Sequence, residues 1–460
     1  MKKVGIIIPD GTGIRNYLFS DLIKGLKKHG NIVLFHAVSS EAIKEITTVQ
    51  NESFECVEIP SFRETLKQRF IRELICLSRL VHNAKLVNNK SIKTNWRPSK
   101  SKLKTKLFYG LIEFCAPYFS KSYTRILKLE DKLVVLMQSN NEEYLNLLQD
   151  VKPDILFSTH QRALTALPLL EAAHKLNIDT IGAIFSWDNL PKARLTLRTN
   201  KYIVWSEYMK NEVNTFYPEI EEENIVITGT PQFEFYYKNE LFSSKDEFCS
   251  QFNLDPNKKI LCFSGDDVRT SPFDPQYLMD VAQVIHENNL PIQILLRRAP
   301  VDFSRRYETI VEKYVNIIKV AEPLWHAIST DVSKWQTIFP TYKDVKLLVN
   351  TVRYSDAVIN LGSTMAHDFA VYNKPAIYFN YNPVKNDKWK VEKIYEYQHF
   401  RSMGNLKPVI WLNRKEDIKN TLIQVMQGDV YLDNTDWLNL IAENRQKASE
   451  NISNFISKCI

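Results

Sequence analysis

The sequence predicts an α/β protein: two doubly wound domains of similar size facing a cleft, followed by a C-terminal helix. Three observations lead there. Short apolar runs alternate with amphipathic helical stretches, the pattern of parallel sheets covered on both faces. The alternation breaks at Gly229-Thr230-Pro231, crosses a polar stretch at 238–250, and then restarts. The length of 460 residues, with 44% apolar and 25% charged residues, suits two or three globular domains and excludes a disordered, collagenous or coiled-coil chain.

The elements follow in order from apolar runs bounded by turn residues. In the first half, strands are expected at 4–8, 32–37, 154–157, 180–185, 202–204 and 225–228. Helices are expected at 16–29, 142–149, 163–176 and 209–216. In the second half, strands are expected at 260–264, 292–296, 316–320, 357–360 and 376–379, with helices at 275–288, 303–314, 341–354 and 364–372. The tail 435–458 reads as helix. The boundaries are an N-terminal Rossmann-like domain over residues 1–235, a C-terminal Rossmann-like domain over 236–434, and a helix over 435–460. In such sheets a ligand belongs where the strand carboxyl ends face the cleft.

The net charge of +7 is unevenly placed. Residues 63–128 hold 16 Lys or Arg and 3 acids, a basic helical insert of balance +13, and the remainder is mildly acidic. Apolar residues run through the insert at helical spacing: Leu66, Phe70, Leu74, Leu77 and Val81, then Leu103, Leu107, Leu111, Phe114 and Tyr118. Two readings stand side by side, an anionic membrane surface as partner or an ordinary helix with a solvated lysine face. No nucleic-acid motif accompanies the charge, so nucleic acid is not expected as a partner. The six cysteines show no metal-ligand spacing and read as free thiols of a reducing compartment. The apolar run at 4–8 is too short for a signal-peptide core, and no segment has 18 uncharged apolar residues. A cytoplasmic protein is expected, peripheral at the inner membrane face if the insert binds lipid.

Candidate site residues lie in loops after strands. Gly11-Thr12-Gly13 allows tight turning close to a ligand, with Arg15 or Asn16 facing it. A dinucleotide fingerprint would need glycine at Asn16 and an acid after the second strand, where Phe35-His36-Ala37 stands, so NAD is not expected. His160 ends a strand and suits a general base, with Asp188 as orienting partner or rival. Trp187 and Asn189 flank Asp188, and Trp187 either stacks on a sugar or packs. In the second half, Gly362-Ser363-Thr364 follows a strand and opens a helix, offering hydroxyls and free N–H groups to a diphosphate or simply capping the helix. Asp368, one turn on, can accept from a ribose diol. Arg297 ends a strand and can fork onto phosphate. Ser264-Gly265 ends the first strand of this domain and joins the same donor-binding set.

Ser186-Trp187-Asp188-Asn189-Leu190, Val204-Trp205-Ser206-Glu207 and Val226-Ile227-Thr228-Gly229-Thr230-Pro231-Gln232-Phe233 together resemble bacterial glycosyltransferases of the two-Rossmann GT-B fold, UDP-glycosyltransferases among them. Trp335, Asp344, Ser355-Asp356-Ala357-Val358-Ile359-Asn360, Gly362-Ser363-Thr364, Asp368 and Lys374-Pro375 resemble the donor-domain signature of that group. The run Ser363-Thr364-Met365-Ala366-His367-Asp368 is similar in spacing to the motif of CDP-glycerol glycerophosphotransferases. The resemblance spans roughly residues 154–380. It implies a glycosyltransferase that uses a nucleotide-diphosphate sugar, with no cofactor and no metal, on a surface-glycan or lipid-linked acceptor. It also implies that Ser363 and Thr364 hold the diphosphate, and that the basic insert sits where relatives dock on the inner leaflet. One departure is plain: relatives often place His-Pro after the strand arginine, and here Arg298-Ala299-Pro300 lacks the histidine. The alternatives are a CDP-glycerol-type phosphotransferase, a nucleotide-sugar 2-epimerase and a non-catalytic nucleotide-binding module.

Overall fold

The computed structural model of the protein describes residues 2–138, 141–195, 198–327, 335–386 and 388–460. The chain divides into two compact units. The first comprises Met1–Pro231, Tyr397–His399 and Glu443–Ile460, and the second Gln232–Glu396 and Phe400–Ala442.

The first unit holds strands β1 (Lys3–Ile8), β2 (Asn31–His36), β3 (Glu55–Glu58), β4 (Ile155–Ser158), β5 (Asp179–Ala183), β6 (Lys201–Val204) and β7 (Ile225–Ile227). They form one parallel sheet in the order β3-β2-β1-β4-β5-β6-β7. The order reverses between β1 and β4, so the loops after these two strands border the topological switch point, where doubly wound sheets bind ligands. Ile6, Ile7 and Ile8 are wholly buried, as expected of a strand covered on both faces. Each such side chain contributes about 1.5–3 kcal/mol relative to exposure.

Helices α1 (Leu22–Lys27), α2 (Ser40–Gln50), α3 (Leu66–Leu86), α4 (Leu103–Phe119), α5 (Tyr123–Gln138), α6 (Glu142–Val151), α7 (Leu167–Lys175) and α8 (Glu207–Phe216) surround this sheet. The expected helix over 16–29 is instead a π-helical turn at Ile14–Leu18 followed by α1. The pair α2 and β3 lies in a stretch for which the sequence pattern predicted nothing. In the basic insert, α3 is a core helix. Leu74 and Leu77 are buried among Val33, Phe35, Ile112, Ile126 and Leu133. Arg79 is also buried; it donates to Glu130, to Glu219, to the Tyr123 hydroxyl and to the Phe216 carbonyl. A buried arginine is tolerated only because two carboxylates and these oxygens satisfy it.

The second unit holds β8 (Lys259–Ser264), β9 (Ile292–Arg297), β10 (Ile318–Val320), a hairpin of β11 (Trp325–Ala327) and β12 (Ile338–Pro340), β13 (Ala357–Asn360), β14 (Ala376–Phe379) and β15 (Ile410–Leu412). Apart from the hairpin these form a parallel sheet in the order β10-β9-β8-β13-β14-β15, with its switch point between β8 and β13. The helices are α9 (Lys245–Phe252), α10 (Asp274–Glu287), α11 (Glu308–Lys313), α12 (Tyr342–Tyr354), α13 (Met365–Ala370), α14 (Glu392–Tyr395), α15 (Ile418–Gln427) and α16 (Asn434–Ile441). The single helix expected over 435–460 is two. Helix α16 packs on α13 in this unit, whereas α17 (Ala448–Lys458) packs on α1 in the first. Ala442, extended at φ −139°, ends α16.

Candidate functional site

Each unit presents polar side chains at its own switch point. In the first, β1 ends at Ile8 and Pro9-Asp10 turns into a one-turn helix, Gly11–Gly13. Asp10 caps it by accepting from Thr12 N at 2.9 Å. Gly13 is needed for close approach, because a Cβ there would stand 2.5 Å from Thr159 Cβ. That packing lays the β1 loop against the β4 loop. His160 Nδ1 and Asp10 Oδ2 meet at 2.8 Å, both groups nearly buried. Burial would raise the Asp10 carboxyl, but His160 outweighs it and holds the group below the usual carboxylate range. An ionised carboxylate only accepts, so His160 Nδ1–H donates. In the neutral ring this tautomer leaves the lone pair on Nε2, the arrangement of a general base oriented by an acid. Thr12 Oγ1 is buried without a partner among the described residues.

The loop after β5 is tied up internally. Asp188 Oδ1 accepts from Ser186 Oγ at 2.9 Å and from Asn189 Nδ2 at 2.7 Å; Lys192 pairs with Oδ2. Burial pushes Asp188 up, but Lys192 first, and then His399, hold it well below the ordinary carboxylate range. A carboxylate held so low is a weak proton acceptor. Asn189 also accepts from Gln161, whose Oε1 takes Phe185 N, so the β4 and β5 loops are stitched together. Trp187 is buried, its ring 4.8 Å edge-on to His399; it packs rather than presenting a face to a sugar. Burial lowers His399 to about 4, leaving that imidazole neutral. Behind this loop Glu212 is buried, neither oxygen has a partner among the described residues, and burial followed by Asp188 raises it to about 8.

In the second unit the strand register aligns the carboxyl edge. Ser264 stands opposite Arg297, and Ile359 opposite Phe263, so the next residue, Asn360, continues the row beside Ser264. Arg297 is buried and its Nη2 reaches both Asp344 oxygens, at 3.0 and 2.9 Å. Asp344 also accepts from Leu324 N and Trp325 Nε1. Arg297 Nη1 and Asn360 Nδ2 are left as buried donors without acceptors among the described residues. Asn360 Oδ1 accepts from Ser363 N at 2.9 Å, folding the loop back. Gly362 has φ +66°, and a Cβ there would meet Phe400 at 2.8 Å, so both backbone and space call for glycine. Ser363 is half-buried and Thr364 exposed at the start of α13, where Thr364 makes no side-chain cap. Gly265 N bonds the Arg297 carbonyl. Asp368 is buried and accepts from the Tyr236 hydroxyl at 2.8 Å, so one oxygen expected for a ribose is engaged within the protein. Asp267 caps its own turn at Arg269 N and Thr270.

The sequence reading missed Asp10, Gln161 and Asn360 as site residues. Asp10 was legible as a strand-end acid, but its partner lies 150 residues on and is identified only by the pairing of β1 with β4.

No protein-family model matches the chain. A stretch of 164 residues is 20% identical to a teichoic acid poly(ribitol-phosphate) polymerase of Bacillus spizizenii (strain ATCC 23059 / NRRL B-14472 / W23), covering 35% of this chain and 23% of that protein. The fold is similar over its full length to the UDP-GlcNAc 2-epimerase of Neisseria meningitidis bound to UDP-GlcNAc, at 12% identity, full coverage of both chains and TM-score 0.52. It is likewise similar to the UDP-GlcNAc 2-epimerase of Methanocaldococcus jannaschii, at 13% identity, 99% coverage of both and TM-score 0.53. At such identities the likeness is one of fold: two parallel-sheet α/β domains of the GT-B type.

Proposed function

We propose that the chain is a glycosyltransferase that takes a sugar from a nucleotide diphosphate donor and passes it to an acceptor hydroxyl. One observation carries the reading: two buried donors without acceptors among the described residues, Arg297 Nη1 and Asn360 Nδ2, stand at the carboxyl edge of the second unit's sheet, on the strands either side of β8. Buried donors without acceptors are costly, about 1–3 kcal/mol each, and an anion with several oxygens would satisfy them. Ser363 and the N–H groups around Thr364 add neutral donors beside them. In this reading the second unit binds the diphosphate leaving group and stabilises its developing charge. In the transfer the acceptor oxygen bonds the anomeric carbon, the bond from that carbon to the diphosphate oxygen breaks, and the hydroxyl proton passes to a base, for which His160 Nε2 is the candidate in the first unit. Asp10 positions the ring and stabilises the imidazolium. The sequence likeness to a poly(ribitol-phosphate) polymerase supports a second reading, transfer of a polyol phosphate from a CDP-polyol, with attack at phosphorus. Six free cysteines support a reducing, cytoplasmic setting, and a surface glycan or lipid-linked acceptor fits both readings.

The test is a donor panel. Radiolabelled UDP-sugars, CDP-glycerol and CDP-ribitol are incubated with the protein and a membrane fraction, and the products and the free nucleotide are separated. Sugar transfer with UDP release supports the first reading, and CMP release from a CDP-polyol supports the second. Interconversion of a UDP-sugar without acceptor would mark an epimerase. Nucleotide binding without turnover of any donor would leave only a binding module.

A further inference from the structure

The structure separates the two apolar stripes of the basic insert. In the α3 stripe, Leu74 and Leu77 are buried and Phe70 and Val81 pack against the core, with only Leu66 at the helix start exposed. On α4, Leu103, Leu107, Leu111, Phe114 and Tyr118 are each between 53% and 82% exposed. At about 100° per residue these five fall within about 80° of the helix circumference. Tyr109, Ile112 and Ala116, which are buried against α3 and α5, lie on roughly the opposite side. Helix α4 is thus apolar on two faces. Such a helix belongs in a core or at a lipid boundary, and here one face has neither. The rim of the stripe is basic: Lys102, Lys104 and Lys106 are exposed and form no ion pair among the described residues. Between Leu86 and Ile112 the chain has seven bases and no acid. Two copies docked through α4 would bring these lysines face to face, which disfavours self-association. Among the described residues no helix is long and apolar enough to cross a membrane.

We propose that α4 docks in the plane of an anionic lipid bilayer, its apolar stripe at the acyl boundary and its flanking lysines among the headgroup phosphates. The inference is independent of the reaction proposed above. It requires only that the surface be lipid, because an apolar stripe framed by unpaired ammonium groups is complementary to a layer that is anionic outside and apolar beneath.

The test is flotation of the full chain with vesicles of phosphatidylcholine, with and without phosphatidylglycerol, at low and high salt. The Phe114→Trp variant is read with lipids brominated near the headgroup end of the chain. Flotation confined to the anionic vesicles, weakened by salt, is expected, with quenching of the indole. Replacing Lys102, Lys104 and Lys106 by Glu should lower partitioning by about 100-fold or more. The Leu107→Glu/Phe114→Glu variant should lower it about 10–100-fold, including at high salt. These positions are exposed, so unchanged thermal midpoints would show that the variants fold. Equal flotation of both variants with wild type, equal binding to neutral vesicles, or an unquenched indole would overturn the proposal. So would sedimentation showing a dimer lost in the Leu107→Glu/Phe114→Glu variant with no flotation of the wild type. Retention of an RNA duplex without lipid binding would also overturn it.

Discussion

Replacing Glu212 by Gln should stabilise the protein, and only above mildly acidic pH. The carboxyl is buried on α8, neither oxygen has a hydrogen-bond partner among the described residues, and Asp188 adds a negative charge nearby. Burial first, then Asp188, raises its pKa from the ordinary 4.5 to about 8. Between these values the folded state holds a proton that the unfolded chain has released. Stability contributed by this group is therefore full below pH 4.5 and is lost as pH rises towards 8. At 1.36 kcal/mol per pH unit, the loss at pH 7 is about 3 kcal/mol. Glutamine cannot titrate and has nearly the shape of the protonated acid. The two proteins should match near pH 4.5–5, and the variant should lead by about 3 kcal/mol at pH 7, or about 6–12 °C in Tm. Urea or thermal unfolding of both proteins from pH 5 to 8 measures the gap, and other titrating groups cancel in the comparison. A gap that stays constant across this range would refute the reasoning, since Glu212 would then not titrate within it. A variant less stable at every pH would show that the carboxylate has a partner.

Three further outcomes follow from the candidate residues of the two units. His160→Ala should lower kcat by about 10²–10⁴-fold while UDP affinity, measured by calorimetry, stays near wild type. Near-wild-type turnover in this variant together with an inactive Asp188→Asn protein would exchange their roles. Asp10→Asn should lower kcat while UDP affinity stays near wild type, because the ring loses the carboxylate that fixes its tautomer and orientation; unchanged turnover would make Asp10 a structural residue only. UDP should raise the Tm of the wild type in proportion to the logarithm of its concentration, and the combined Asn360→Ala/Ser363→Ala/Thr364→Ala variant should shrink that rise. An undiminished shift would place the nucleotide elsewhere.

The strands Ala357–Asn360 and Ala376–Phe379 were legible residue for residue, because central parallel strands are apolar on both faces and their pattern is self-contained. Gly362 was legible as the link between a strand and a helix, and its φ of +66° shows why glycine stands there. The break after Gly229 likewise announced a new α/β set. Tertiary structure alone decided what these signals meant in space. Helices α3 and α4 carry the same basic, apolar-spaced pattern, yet Leu74 is in the core and Phe114 is in solvent. Periodicity reports that a helix has an apolar face, and only packing decides whether anything covers it. The β2–β1–β4 order brings Asp10 to His160 and gives the imidazole its carboxylate. It is a non-local pairing with no trace in the residues around either one. Asp188 and Asp368 looked available to a ligand as strand-end and helix-start acids, and folding engaged them with Lys192 and Tyr236. A carboxylate's chemistry depends on what stands within about 3 Å of it: for Asp188 that is Lys192 in the same loop, brought round by the local fold, and for Asp368 it is Tyr236, 132 residues away in sequence.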